Sequence, residues 1–153
     1  MLGELSKEEM RELVENSIVG RIGCSDGERT YVVPISYLFN GDHIVCHSLD
    51  GKKIEMMRKN PNVCFEVDEI RDFTHWRCVI AQGRYEELTN EHEIAKVRDH
   101  FSQVMLERKA SLTSVPPAGG QDGHKQKPAS VESVFYRIWF TEVSGRYEHG
   151  LVY

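Results

Sequence analysis

The segment Tyr31-Val32-Val33-Pro34-Ile35-Ser36-Tyr37-Leu38-Phe39 constrains this chain more than any other. It is apolar on both alternating faces, so it reads as a strand buried on both sides. Turn signals flank it, Asp26-Gly27 before and Asn40-Gly41-Asp42 after, of the kind that closes a β-hairpin. Ile18 to Ser25 and His43 to Ser48 then become its antiparallel neighbours. Gly20 and Gly23 in the first of these predict a bulge or a close backbone approach. Pro34 has no N–H to give a ladder, so the central strand is at an edge or bulged there. Such a break leaves nearby backbone groups free to meet a ligand.

The remaining elements fall around these three strands. Met1-Leu2-Gly3-Glu4-Leu5 is acidic and helix-like, unlike a signal peptide. Ser6-Lys7-Glu8-Glu9 forms a capping box, and Met10, Leu13 and Val14 give the helix that follows one apolar face as far as Asn16. Lys52 to Asn60 reads as a short helix with Ile54 and Met57 inward, stopped by Asn60-Pro61. Val63 to Asp68 alternates as a strand with one wet face. Phe73 to Trp76 leads into a long strand, Arg77 to Leu88, with Val79, Ala81 and Gly83 on one face. Asn90 caps a further helix whose stripe of Ile94, Val97, Phe101, Val104 and Met105 reads as packing. Ser111 to Ser130 is broken by Pro116-Pro117, Gly119-Gly120 and Pro128 and reads as a long loop. Val134 to Val143 is the last strand, and Ser144 to Tyr153 a polar tail. About six strands with tight turns predict a mainly β fold, a closed or partly closed antiparallel barrel with flanking helices, as one domain over 1–153.

Composition excludes several functions. A net charge of -5 and a pI near 5.8 argue against general affinity for nucleic acid or anionic membrane. No apolar run approaches the ~20 residues of a membrane span, so the expected compartment is the cytoplasm. Cys24, Cys46, Cys64 and Cys78 form no Cys-x-x-Cys pair and lie in predicted strands, which points to reduced, buried, structural thiols. His43 and His47 share a face but stand ~13 Å apart at ~3.3 Å per residue, too far to hold one metal. His92 and His100 fall on a polar helix face and His124 in the loop. No metal-ligand spacing, nucleophile elbow or Walker sequence occurs.

The chemistry concentrates in His47-Ser48-Leu49-Asp50-Gly51-Lys52-Lys53. A hydroxyl, a glycine and two lysines meet where a strand ends and a helix begins. A helix N-terminus offers free N–H groups and partial positive charge, which suit a phosphate. Ser48 would donate to a phosphate oxygen, and Lys52 and Lys53 would supply charge. Asp50 must point away or cap the helix. Taken alone, the same residues also describe a turn with solvated lysines, and His47 equally a packed structural histidine.

Taken together, Tyr31 to Tyr37, Asn40-Gly41-Asp42, His47-Ser48, Gly51-Lys52-Lys53 and the run Asn60-Pro61-Asn62-Val63-Cys64-Phe65-Glu66-Val67 resemble the pyridoxamine 5'-phosphate oxidase-like flavoproteins. The short branch with nitroimidazole-resistance proteins is the most similar. The resemblance runs from about Ile18 to Leu88. It implies a six-stranded split β-barrel homodimer, with FMN bound noncovalently in a cleft between subunits. By position, the backbone of Val32, Val33, Pro34, Ile35 and Ser36 would run beside the isoalloxazine. His47 and Ser48 would line the phosphate end, and Lys52 and Lys53 would bind the phosphate. Arg77, Cys78 and Trp139 would contact the flavin from the later strands. His47 matches a histidine linked to catalysis in that branch.

Three departures set the chain apart from true pyridoxamine 5'-phosphate oxidases. Tyr31 stands where they carry an arginine. Lys52-Lys53 replaces their Arg-Lys pair. Arg146-Tyr147-Glu148-His149 lacks the spacing of their Arg-x-His signature. The implied activity is therefore electron transfer from a nicotinamide nucleotide through FMN to a small acceptor such as a nitro compound. The alternative is a non-catalytic module that stores or senses FMN or haem, with His47 as a haem ligand.

Overall fold

The computed structural model describes residues 1–109, 115–116 and 132–150. Apart from Val115 and Pro116, the loop expected over 111–130 lies outside them, with His124. Among the described residues there are seven strands and three helices: β1 (Leu2–Glu4), α1 (Lys7–Asn16), β2 (Val19–Ser25), β3 (Thr30–Phe39), β4 (His43–Leu49), α2 (Lys52–Lys59), β5 (Asn62–Asp72), β6 (His75–Glu87), α3 (Glu91–Glu107) and β7 (Ser133–His149). No helix among them is long and apolar enough to cross a membrane.

The strands form one antiparallel sheet in the order β1-β7-β4-β3-β2-β5-β6, and a further β6–β7 pairing joins its ends. β2 to β7 make the ring of six expected from the sequence. β1 is a seventh strand, which corrects the helical reading of Met1 to Leu5. Leu2, Gly3 and Glu4 lie opposite Glu148, Tyr147 and Arg146, so a partner strand overrides weak local preference. The polar tail is corrected as well, because β7 continues through Ser144 to His149 against β6. Its alternating polar residues are those of a strand with one wet face.

The capping box of α1 forms as read: Ser6 Oγ accepts from the Glu9 N–H, and the Ser6 N–H donates to the Glu9 carboxylate at 2.7 Å. Leu13 and Val14 pack into the core, and the Tyr37 hydroxyl donates to the Val14 carbonyl at 2.5 Å, fixing α1 to β3. Inside the ring lie Ile22, Tyr37, Ile44, Phe65, Val79 and Ile138, with Ile54 and Met57 of α2. Gly20 and Gly23 serve close approach, and the β2–β5 register runs without a bulge. A Cβ on Gly20 would collide with the Phe65 ring, and one on Gly23 would lie 2.7 Å from Cys64 Sγ.

β3 is buried on both sides only in its second half. Leu38 pairs with Val45 on the outer face of the barrel, where Phe101 and Met105 of α3 cover both. Arg137 ties α3 to the barrel through an ion pair to Glu93, and also pairs with Glu86 of β6 at 3.3 Å. The first half is open, and Val32 is 65% exposed. All four cysteines lie in strands as free thiols, but only Cys24 and Cys46 are buried; Cys64 and Cys78 are partly buried. The last two sit on pleat positions that face away from the barrel core.

Candidate functional site

The ring is split at one seam. β3 pairs with β2 from Thr30 to Ser36, but with β4 only from Tyr37 to Phe39. β4 continues to Leu49 along β7. The two strands therefore part between Thr30–Ser36 on one side and His47–Leu49 on the other. Pro34 lies on this open edge, where its missing N–H costs no ladder bond.

A cavity of about 320 Å³ occupies the notch. Pro34, Ile35, Ser36, His47, Ser48 and Lys53 line it, with Val19 of β2 and Phe101 of α3. Six of the residues expected to bind a cofactor thus meet at one place. The other six lie elsewhere in a single copy. Val32 is exposed beside the notch, and Val33 packs partly into the core. Lys52 turns aside, with Nζ 4.8 Å from the centre of the Tyr31 ring. Arg77 donates from Nε to Glu69 at 2.7 Å and borders a separate cavity with Trp76 and His149. Cys78 stands opposite Arg146 on β7 and Asp68 on β5. Trp139 packs on His43, ring centres 4.2 Å apart.

The notch is electropositive, and no acidic side chain lines it among the described residues. Lys53 is half-buried, and burial holds its ammonium below the usual lysine pKa. Among the described residues, no carboxylate pairs with Lys53. Asp50 does point away: Arg58 takes it at 3.1 Å and Glu87 at 2.8 Å. Gly51 caps α2 without a side-chain bond, which leaves the first turn of that helix uncapped. Ser48 is buried, and its hydroxyl donates to the Leu49 carbonyl at 2.9 Å; it must rotate to reach an anion.

His47 forms the wall between α2 and α3. Its Nε2 lies 3.2 Å from Ser133 Oγ, and its ring packs against Phe135 and Phe101. Burial first, and then the charges of Lys53 and Arg98, depress its pKa to about 4. The imidazole is therefore neutral at pH 7. It is a ligand or a proton acceptor and not a standing acid.

Sequence reasoning missed Arg98 and Ser133. The Arg98 guanidinium stands 5.6 Å from the Phe135 ring centre, and its buried Nε has no hydrogen-bond partner among the described residues. The signal was present: Arg98 precedes Phe101 by three residues, so it borders the apolar stripe of α3. Ser133 carried no local signal, because the β4–β7 register brings it to the site.

Both the sequence and the split-barrel fold match known proteins. The family model for pyridoxamine 5'-phosphate oxidase matches residues 6–147. The chain belongs to the pyridoxamine 5'-phosphate oxidase family. An uncharacterised protein of Rhizobium meliloti is 29% identical over 142 residues, 93% of this chain and 92% of that one. A crystal structure of an FAD-binding protein from Mesorhizobium loti is 32% identical, covers 98% of each chain and superposes with a TM-score of 0.77. A Bacteroides thetaiotaomicron structure, provisionally assigned to 5-nitroimidazole antibiotic resistance, shares the fold at 17% identity and a TM-score of 0.66, covering 96% of this chain and 87% of that one.

Proposed function

We propose that this chain binds a flavin nucleotide noncovalently and uses it as an oxidoreductase. The observation that carries the reading is Lys53, a half-buried cation in a cavity at the seam, with no carboxylate partner among the described residues. Burying an unpaired charge is unfavourable, so the site is built for an anion that completes it. A phosphate group fits the donors present: the Lys53 ammonium, the Ser48 hydroxyl and the first turn of α2. The open backbone of Val32 to Ser36 gives a flat ring system an edge to lie against.

The flavin would supply the redox chemistry, taking electrons from a nicotinamide nucleotide and passing them to a small oxidised acceptor. The chain would bind and orient it. Family membership alone does not make pyridoxamine phosphate the substrate, because function belongs to the site. A nitro compound is the acceptor to test first, given the Bacteroides relative. FMN is the form proposed, since one phosphate satisfies Lys53, the one lysine lining the cavity among the described residues. The Mesorhizobium loti relative favours FAD as a second reading.

A homodimer is part of the proposal. Ile18, Val19 and Val32 are 65%, 51% and 65% exposed around the notch, an apolar rim that a second copy would cover. Arg77, Cys78 and Trp139 of that copy could then reach the flavin, as they do not within one chain.

The test is the absorbance spectrum of the purified protein, with mass analysis of any cofactor released by heat. A flavin spectrum that bleaches anaerobically with NADH or NADPH and recovers with a nitroarene supports the reading. Protein that binds neither FMN nor FAD removes it. FAD released in place of FMN selects the second reading.

A further inference from the structure

We propose that phosphate binding in the notch is coupled to uptake of one proton by His47, so that the site closes on its ligand as an imidazolium, an ammonium and a hydroxyl together. This rests on the flavin phosphate reading above. The geometry assigns the role. His47 lines the same cavity of about 320 Å³ as Lys53 and Ser48. Lys53 faces it from α2 and Arg98 from α3. β7 contributes the Ser133 hydroxyl and the Phe135 ring, and β3 contributes Pro34, Ile35 and Ser36. Among the described residues, no carboxylate pairs with any of the three basic groups.

The charges of Lys53 and Arg98 repel a further positive charge beside them, and the imidazole stays neutral. A dianion placed beside His47, Ser48 and Lys53 reverses the local field, and the same imidazole then favours its charged form. Ser133 permits both states, because a hydroxyl can donate to a bare ring nitrogen or accept from a protonated one. The proton comes from solvent, and no bond to phosphorus forms or breaks. Arg98 has the companion role. With its buried Nε unpartnered and its guanidinium on the Phe135 ring, it sets the charge behind His47 without lining the cavity.

The experiment is calorimetric titration of the apoprotein with FMN at pH 7.5 in buffers of different ionisation enthalpy. The slope of observed heat against ionisation enthalpy counts the protons exchanged. Uptake approaching one proton per FMN is expected for the native chain, and uptake near zero for His47→Gln. Riboflavin, which lacks the phosphate, should bind with no uptake to either. Should His47→Gln fail to fold, the native comparison of FMN with riboflavin still decides. FMN binding with zero proton uptake overturns the coupling and leaves the flavin reading intact. Equal uptake with FMN and riboflavin places the proton away from the phosphate and also overturns it. Absence of any flavin binding removes the parent reading instead.

Discussion

Arg58 holds the Asp50 carboxylate at 3.1 Å, three residues before Lys53 in the chain. The pairing does more for the notch than for stability, since the pair is partly exposed and such pairs contribute little. It turns a negative charge away from the start of α2. Arg58→Ala would release Asp50 while leaving every cavity residue in place. FMN affinity is expected to fall roughly three- to tenfold, about 0.6–1.4 kcal/mol, at low salt. Arg58→Ala together with Asp50→Asn should recover most of it. Fluorescence quenching on FMN addition measures both.

The two lysines should separate. Lys53 reaches the cavity and Lys52 lies over Tyr31. Lys53→Ala removes a charge-assisted hydrogen bond of roughly 1.5–3 kcal/mol and should weaken FMN binding about 10- to 150-fold. Lys52→Ala should change it less than about threefold, the scale of a screened surface charge. Equal losses from the two would mean that the phosphate lies at the mouth of α2 and outside the notch.

The turns and their three strands were legible in the sequence because hairpin chemistry is local. Asp26-Gly27 and Asn40-Gly41 fix their own neighbours. The open edge at Pro34 was legible for the same reason, since proline removes a donor wherever it sits. Arg98 and Ser133 were not. Each reaches His47 across a sequence gap of 51 or more residues, through packing that no local pattern encodes. β1 and the end of β7 were misread because each is held by the other, and neither has strong strand character alone. The separation of Lys52 from Lys53 was beyond the sequence too: adjacent residues on a helix diverge by about 100°, but only the packing of α2 says which one turns inward.

Gly20 should tolerate nothing larger. An added Cβ would collide with the Phe65 ring and come within 3.1 Å of the Glu66 carbonyl. Phe65 is fully buried and packs edge-on to Tyr37 at 4.8 Å, so it has little room to yield. Gly20→Ala is expected to cost about 1–3 kcal/mol, lowering the melting temperature by roughly 3–10 °C. A thermal melt followed by circular dichroism checks this. An unchanged midpoint would mean that β2 and β5 can separate at the barrel wall.

His47 should also mark the acid limb of stability. Its folded pKa is about 4, below the ~6.5 of an unfolded histidine. Between those values the unfolded chain binds the proton and the folded chain does not. The stability contributed by His47 is therefore complete above pH ~6.5 and is lost progressively as the pH falls toward 4. The full difference corresponds to about 3 kcal/mol, and solvent reaching a half-buried ring reduces it to roughly 1–2 kcal/mol. In His47→Gln, whose amide can still reach Ser133, this loss should vanish, so urea midpoints at pH 7 and pH 4.5 should lie closer together than in the native chain. The carboxylates with lowered pKa values, Asp72 at about 2 among them, lose their contribution mainly below this window and leave it to the histidine. Parallel pH profiles for the two proteins would show that the notch admits solvent freely enough to charge the ring in the folded state.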